Sequence, residues 1–164
     1  MNQSREWALL TDEQKKIIQA HQNDFPIKVG AIAKAFDIDV KKSTLSAGIS
    51  GEIKEANGKV TIRVNRHDVK ERQRFTLAHE IAHFLLHRDK IGDGIIDDIL
   101  YRSGLSDAQE AQANRLAADI VMPWSLIQRS LEACSDLKPE QKIERLAQEA
   151  EISTTAIKIR LGKI

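Results

Sequence analysis

Residues 75–87, FTLAHEIAHFLLH, contain two histidines four positions apart, with a glutamate directly after the first. On a helix, His79 and His83 lie on one face, because side chains four residues apart are neighbours there. Two imidazoles in this arrangement can bind one zinc ion, and Glu80 is turned too far around the helix to join them. Glu80 can instead take a proton from a water molecule that zinc has made acidic. The spacing therefore predicts a zinc-dependent hydrolytic site with two histidine ligands and a glutamate base.

A purely structural interpretation of the same residues competes with this one. In that interpretation the two histidines lie at the buried edge of a helix and Glu80 faces solvent. The neighbouring residues in the sequence are mostly apolar: Phe75, Leu77, Ala78, Ile81, Ala82, Phe84, Leu85 and Leu86. Burying two imidazoles and a carboxylate in such surroundings is costly unless something satisfies them. A metal ion would do so, which favours the metal site.

A catalytic zinc site usually has three protein ligands, so a third ligand must be found. His87 is the nearest candidate, but it lies about 12 Å along the helix axis from His79 at 1.5 Å per residue. This distance is too long for one ion to bind both His79 and His87. We therefore predict a third ligand from another helix. Residues 106–123, SDAQEAQANRLAADIVMP, offer Glu110 as that ligand and Asn114 as a side chain that orients a ligand. Glu110 also fits a second interpretation, as a solvent-facing acid in the first turn of its helix.

Other residues give weaker signals. A metallopeptidase needs a donor for the developing oxyanion, and Tyr101 and Arg102 lie between the two predicted ligand helices. A packing or surface role is the alternative for each. The remaining notable side chains are predicted to be surface or packing residues: His21, His67, Trp7, Trp124 and Cys134.

The predicted helices have recognisable ends. Capping boxes begin at Thr11 and Ser106, Pro26 suits the start of a second helix, and Asp68 is a plausible cap for the motif helix. The motif helix is expected to end near residue 88, and Pro123 ends the helix that carries Glu110.

A change of period indicates a small sheet. The segment SGEIKEANGKVTIRVN, residues 50–65, contains Asn57-Gly58 between two alternating runs, which is a strong hairpin signal. We expect a small antiparallel sheet with a further strand near Lys41–Ala47. Residues 89–105 contain three glycines and several acids and are predicted to form a loop or short helical pieces.

Length and composition fit one α+β domain. The chain has 164 residues, of which 41% are hydrophobic and 30% charged, and no linker-like segment divides it. We predict a single domain over residues 1–164, with a helical extension at 1–24 and a C-terminal helix pair at 138–164. In this fold the motif helix packs against the helix that supplies the third ligand.

Charge and cysteine content limit the possible functions. Lys and Arg total 25 against 24 for Asp and Glu, which is not typical of a nucleic-acid binder. The single cysteine, Cys134, excludes an intrachain disulfide framework and indicates a reducing compartment. The N-terminus has no leader-like apolar segment, and no apolar run approaches the roughly 18 residues of a membrane span. We therefore predict an unprocessed cytoplasmic protein that has no membrane partner.

The C-terminal helix pair raises the question of DNA binding. Residues 138–164 contain six basic and four acidic residues, so the segment is only weakly positive. Two amphipathic helices that close the core are the favoured interpretation, and direct DNA binding is not expected.

Two segments together carry a family resemblance. RQRFTLAHEIAHFLLH followed by EAQANRLAADIVMP resembles the ImmA/IrrE family of zinc metallopeptidases. PIKVGAIAKAFDIDV and SGEIKEANGKVTIRVN are similar to that family's N-terminal helix and hairpin, and IERLAQEAEISTTAIKIRLGKI to its C-terminal helices. The resemblance covers about residues 25–164.

The resemblance implies a gluzincin-type site with one Zn²⁺ per chain. Its residues would be three ligands and a general base: His79, His83 and Glu110 around the ion, and Glu80 as the base. The family often has a second acid and an aromatic residue in the later helix, where this chain has Gln112 and Leu116. The missing acid removes a competing ligand and favours Glu110.

The resemblance also implies a bacterial regulatory metallo-endopeptidase. Its expected partner is a helix-turn-helix repressor or antitoxin encoded nearby, which it cleaves or otherwise inactivates in a stress-response or toxin–antitoxin system. Many members have a DNA-binding domain in front, and the residues before Pro26 are too few for one. Two other classes stay open: a metal-containing module that sequesters the repressor without cutting it, and a DNA-binding regulator that uses the C-terminal helices.

Overall fold

The computed structural model describes residues 2–98 and 105–164, and within them the chain forms seven α-helices and four β-strands. The helices are α1 (Asp12–Gln19), α2 (Val29–Ala35), α3 (Lys70–Leu86), α4 (Asp107–Val121), α5 (Trp124–Ala133), α6 (Pro139–Ala150) and α7 (Thr154–Arg160). The strands are β1 (Ile38–Ser43), β2 (Ile49–Ala56), β3 (Lys59–Asn65) and β4 (Ile95–Asp98). The α+β class predicted from the sequence is confirmed.

The sheet has the strand order β1-β3-β2-β4 and is mixed. β2 and β3 form the hairpin that Asn57-Gly58 predicted, and β4 pairs antiparallel with β2. β1 runs parallel to β3, with Ile38 opposite Val60, so the prediction of an antiparallel sheet is wrong. The chain reverses direction between β1 and β2 and again at the Asn57-Gly58 turn, so β3 runs in the same direction as β1. Because β3 lies between β1 and β2 in the sheet, it pairs with β1 in parallel.

Two strands differ from their predicted positions. β1 begins at Ile38, earlier than the strand predicted near Lys41–Ala47. β4 lies inside the segment predicted to be a loop or short helical pieces. Its four residues are too few to show alternation in the sequence. It forms because the backbone groups along one edge of β2 can pair with another strand, and in this pairing Ile95 lies opposite Ile53.

Two of the predicted helix starts are confirmed and two are corrected. Both capping boxes are present: Thr11 Oγ1 accepts from the Gln14 amide at 3.1 Å, and Ser106 Oγ accepts from the Gln109 amide at 3.2 Å. Asp68 does not cap α3, because Val69 occupies the cap position and makes no side-chain cap bond. Similarly, α2 begins at Val29, three residues after Pro26.

One continuous apolar core joins the sheet to the helices. Ile53 and Ile62 of the sheet, Ile81 of α3 and Leu116 of α4 are all fully buried in it. α6 and α7 also contribute buried residues, among them Leu146. Among the described residues, none of the helices combines the length and apolar character needed to cross a membrane.

Asp119 on α4 connects this helix to both ends of the described chain. Its carboxylate accepts a bond from the Ser4 amide at 3.0 Å and another from the Ser4 hydroxyl. Arg160 of α7 donates to its other oxygen at 2.9 Å. Four residues earlier, Arg115 pairs with the buried carboxylate of Glu6. α4 is therefore held from both sides by ionic contacts whose carboxylates are buried.

β2 and α3 approach each other closely at Gly51. A Cβ atom added there would lie 2.5 Å from Thr76 Cγ2, 3.2 Å from the Arg63 carbonyl oxygen and 3.7 Å from Glu80 Cγ. The missing side chain therefore lets the motif helix lie directly on the sheet.

This contact yields a stability prediction. Gly51→Ala should lower the free energy of unfolding by about 1–3 kcal/mol, because the new methyl group overpacks the helix–sheet contact. Gly30→Ala is the matched control: it lies in α2 with no atom within 4 Å of the added Cβ. It should raise stability by up to about 1 kcal/mol. Urea denaturation measures both values, and an equal response of the two variants would contradict the close approach.

Candidate metal centre

The motif residues lie in the most buried stretch of α3. Residues 76–83 are buried without interruption, because β2 packs on one side of the helix and α4 on another. His79 is 7% exposed, and Glu80 and His83 are fully buried. The sequence suggested Glu80 facing solvent as the structural alternative, and the structure excludes that alternative.

His79, His83 and Glu110 converge on one point between α3 and α4. The Nε2 atoms of the two histidines are 3.0 Å apart. Glu110 Oε2 lies 3.2 Å from His79 Nε2, and Glu110 Oε1 lies 3.1 Å from His83 Nε2. The Glu110 side chain is only 16% exposed, so it is not the solvent-facing acid of the alternative interpretation.

The geometry of this cluster fits a zinc ion. Two imidazole nitrogens and a carboxylate oxygen form a common zinc donor set. In tetrahedral coordination with bonds of about 2.0–2.1 Å, the donor atoms lie roughly 3.3 Å apart. The two Nε2 atoms are 3.0 Å apart, and each lies 3.1–3.2 Å from a different oxygen of Glu110. One donor atom from each residue lies within 4.8 Å of the other two, so the three side chains are close enough to share one ion.

The protonation states also suit a metal. Burial lowers the pKa of His83 below its ordinary value, which favours the neutral ring. Burial alone would raise the pKa of Glu110. Hydrogen bonds with His79 and His83 outweigh it and hold the pKa of that carboxyl well below its usual range. A neutral imidazole and an ionised carboxylate are the forms that bind metal.

The carboxylate of Glu80 is the unusual feature of the site. Both of its oxygens are buried, and neither has a hydrogen-bond partner among the described residues. Burying an unpartnered carboxylate is among the most costly arrangements in a protein interior. A water molecule held in the adjacent cluster would supply the missing donor. A carboxylate with no other partner among the described residues is the kind of group that can act as a general base.

Two amide side chains of α4 contact histidine rings on the side that faces away from the three-residue cluster. Asn114 Oδ1 lies 2.8 Å from His79 Nδ1, the contact expected of a residue that orients a ligand. His87 is buried, with its Nδ1 3.0 Å from His83 Nδ1 and its Nε2 2.8 Å from Gln112 Oε1. His87 therefore lies outside the three-residue cluster, as the distance along the helix predicted.

The contact between His87 and Gln112 was missed by sequence reasoning. Gln112 entered that reasoning only as a missing acid, and His87 only as a rejected ligand. The four-residue step from His83 to His87 was a usable signal, since it places the two rings side by side on α3. The residue that meets His87 depends on how α4 is aligned against α3, which the sequence does not show.

The weaker candidates have mixed outcomes. Tyr101 and Arg102 lie outside the described residues. His67 is exposed and His21 half-buried. Among the predicted packing residues, Trp7 and Cys134 are buried and Trp124 is half-buried against the Arg160 guanidinium.

A cavity of about 930 Å³ adjoins the cluster. His79, Glu110 and Asn114 contribute to its wall, and so do residues of α7, including the exposed Ile159. Its volume is at the upper end of the range for pockets that hold drug-sized molecules. A few residues of an extended peptide would fit in this space.

Comparison with models of protein families assigns most of the chain to a known family. Residues 33–162 match the model of the Peptidase M78 family, which is described as the IrrE N-terminal-like domain. No curated protein matches the chain. The matched region includes all four strands and every residue of the cluster.

Proposed function

Because this chain belongs to the Peptidase M78 family, we propose that it is a zinc-dependent metallo-endopeptidase. The match confirms the family that the sequence motifs indicated. In this proposal α3 and α4 form a gluzincin-like pair of helices. His79, His83 and Glu110 hold one zinc ion, and Glu80 is the general base. The observation that carries the proposal is the buried Glu80 carboxylate without a hydrogen-bond partner among the described residues, beside three converging ligand atoms.

The chain's own residues account for the steps around the metal. A bound zinc ion supplies a Lewis acid that polarises the scissile carbonyl and makes a water molecule acidic. Glu80 takes a proton from the attacking water and then delivers it to the leaving amine. Asn114 holds the His79 ring in place. The cavity beside the cluster receives the peptide on either side of the scissile bond.

We propose that the substrate is a helix-turn-helix repressor or antitoxin encoded nearby, a partner that the family resemblance supports. A peptide must be extended to lie across a zinc site, so a packed helix is a poor substrate unless it unfolds locally. The cut therefore falls in a linker or another exposed segment. Separating the DNA-binding unit from the dimerisation unit weakens operator binding without altering any base contact. The reaction belongs in the cytoplasm, where such a repressor acts.

Mass analysis of the repressor after incubation with the zinc-loaded protein tests this proposal. We expect two fragments whose masses add up to that of the intact repressor plus one water molecule. Casein is the control substrate and should stay intact, because so small a domain has little surface for a cleft with many side-chain pockets. An uncut repressor that stays bound to the protein would favour the sequestering module. A salt-dependent shift with duplex DNA alone would favour the DNA-binding regulator.

A further inference from the structure

A chain of hydrogen bonds connects α4 to the far side of the His83 ring. Gln112 Oε1 lies 2.8 Å from His87 Nε2, and His87 Nδ1 lies 3.0 Å from His83 Nδ1. His83 and His87 are both buried, with exposures of 0% and 5%. Each of these two contacts contains one proton. Which of its two atoms carries that proton depends on whether the Gln112 atom at the end of the series can donate or only accept.

The carbonyl oxygen of Gln112 sets the direction of the chain. This oxygen can only accept, so the proton in its contact lies on His87 Nε2. A neutral His87 then has a lone pair on Nδ1, which accepts a bond from the N–H at His83 Nδ1. When a metal takes the place of the proton between His83 Nε2 and Glu110 Oε1, a neutral His83 keeps its proton on Nδ1 and its lone pair on Nε2, the atom that faces the cluster.

The ring of His79 is oriented in the same way, by one contact instead of two. Asn114 Oδ1 can only accept, so His79 Nδ1 carries the proton in their contact and the lone pair of His79 lies on Nε2. Two amide oxygens of α4, two residues apart, thus direct the lone pairs of both rings to one point. The reverse orientation of the Gln112 amide would reverse the proton order and place an N–H of His83 at that point, where it would exclude a cation.

We propose that His87 and Gln112 are positioning residues: when a metal takes the place of the proton between His83 Nε2 and Glu110, they hold the remaining proton of His83 on Nδ1 and leave Nε2 to the metal. The inference rests on the proposed function in one respect, namely that the cluster holds zinc. His87 does not touch the ion in this arrangement, and Gln112 acts only through His87. Partners of this kind behind a ligating imidazole strengthen metal binding by about 10- to 100-fold.

Zinc affinity, measured by competition with a chelator, tests the role of Gln112. Gln112→Met has nearly the same size but replaces the amide oxygen with a thioether sulfur, which is only a weak acceptor. We expect it to bind zinc about 10- to 100-fold more weakly. Gln112→Glu keeps an acceptor and should bind zinc within a few-fold of wild type or more tightly. Gln148→Met, at an exposed position on α6, is the control for the substitution itself. If Gln112→Met binds zinc as wild type does, the proposal is wrong.

Nitrogen-15 NMR of the imidazole rings provides the second test, which requires no activity. In the zinc-loaded wild-type protein His83 should carry its proton on Nδ1 and His87 on Nε2. Gln112→Met should lose the fixed proton position on His87, and Gln112→Glu should keep it. A proton on His87 Nδ1 in the zinc-loaded wild type would overturn the proposal. If the protein binds no zinc, the proposed function fails; if it binds zinc and Gln112→Met binds it equally tightly, only the positioning role fails.

Discussion

Glu80→Gln should leave zinc content and folding unchanged while repressor cleavage falls by about 100- to 10,000-fold, the contribution usual for a general acid–base group. The amide has the size and shape of the carboxylate but cannot take a proton from water. Since the carboxylate is fully buried and makes no hydrogen bond among the described residues, its replacement removes no contact seen there. The loss should therefore appear in kcat and leave the binding of the repressor unaffected.

Single-turnover cleavage of the repressor, followed by mass analysis, measures this effect. Glu144→Gln makes the same chemical change at an exposed position on α6 and should cleave as wild type does. Zinc content and melting temperature are measured on all three proteins, so that loss of the metal is not mistaken for loss of the base. Equal inactivation of the repressor by wild type and Glu80→Gln, with no cleavage, would replace proteolysis with sequestration.

Removing zinc from the wild-type protein should lower its melting temperature by about 10 °C. Zinc that is present at about 1,000 times its Kd stabilises the native state by about 4 kcal/mol. For a chain of this size, 1 kcal/mol corresponds to about 2–4 °C. His83→Ala should contain almost no zinc, and a chelator should cause no further change in its melting temperature.

The comparison with and without chelator separates metal binding from packing. His83 is fully buried, so His83→Ala lowers stability through lost packing even without metal. His67→Ala is the control, because His67 is exposed and should keep both the zinc and the response to chelator. Unchanged zinc content in His83→Ala would show that the metal site lies elsewhere. Unchanged zinc content in Glu110→Ala alone would show that only the third ligand is wrong.

Local signals in the sequence predicted much of the fold. The capping boxes at Thr11 and Ser106 and the turn at Asn57-Gly58 each depend on residues within a few positions, and the structure contains all three. The parallel pairing of β1 with β3 and the short strand β4 depend on strands distant in sequence. No local pattern encodes those partners, and these are the parts that were predicted incorrectly.

The candidate site shows the same division. His79, Glu80 and His83 follow from spacing on a single helix, and the distance along that helix correctly separated His87 from the cluster. Glu110 needed the family resemblance as well as its place near the start of a second helix. The link from His87 to Gln112 requires the alignment of α4 against α3. That alignment is set by packing over the whole core.

The position of Asp119 has a consequence for synthesis on the ribosome. Its partners are Ser4, which is 115 residues earlier, and Arg160, which is 41 residues later. Translation proceeds at about 5–20 residues per second, so Asp119 is made seconds before its arginine exists. During that interval the carboxylate cannot be buried as an ion pair, and α4 has no lasting anchor on α7. The growing chain can therefore form the contacts of α4 with Ser4 and Glu6 first, and the anchor on α7 is added only after Arg160 has been made.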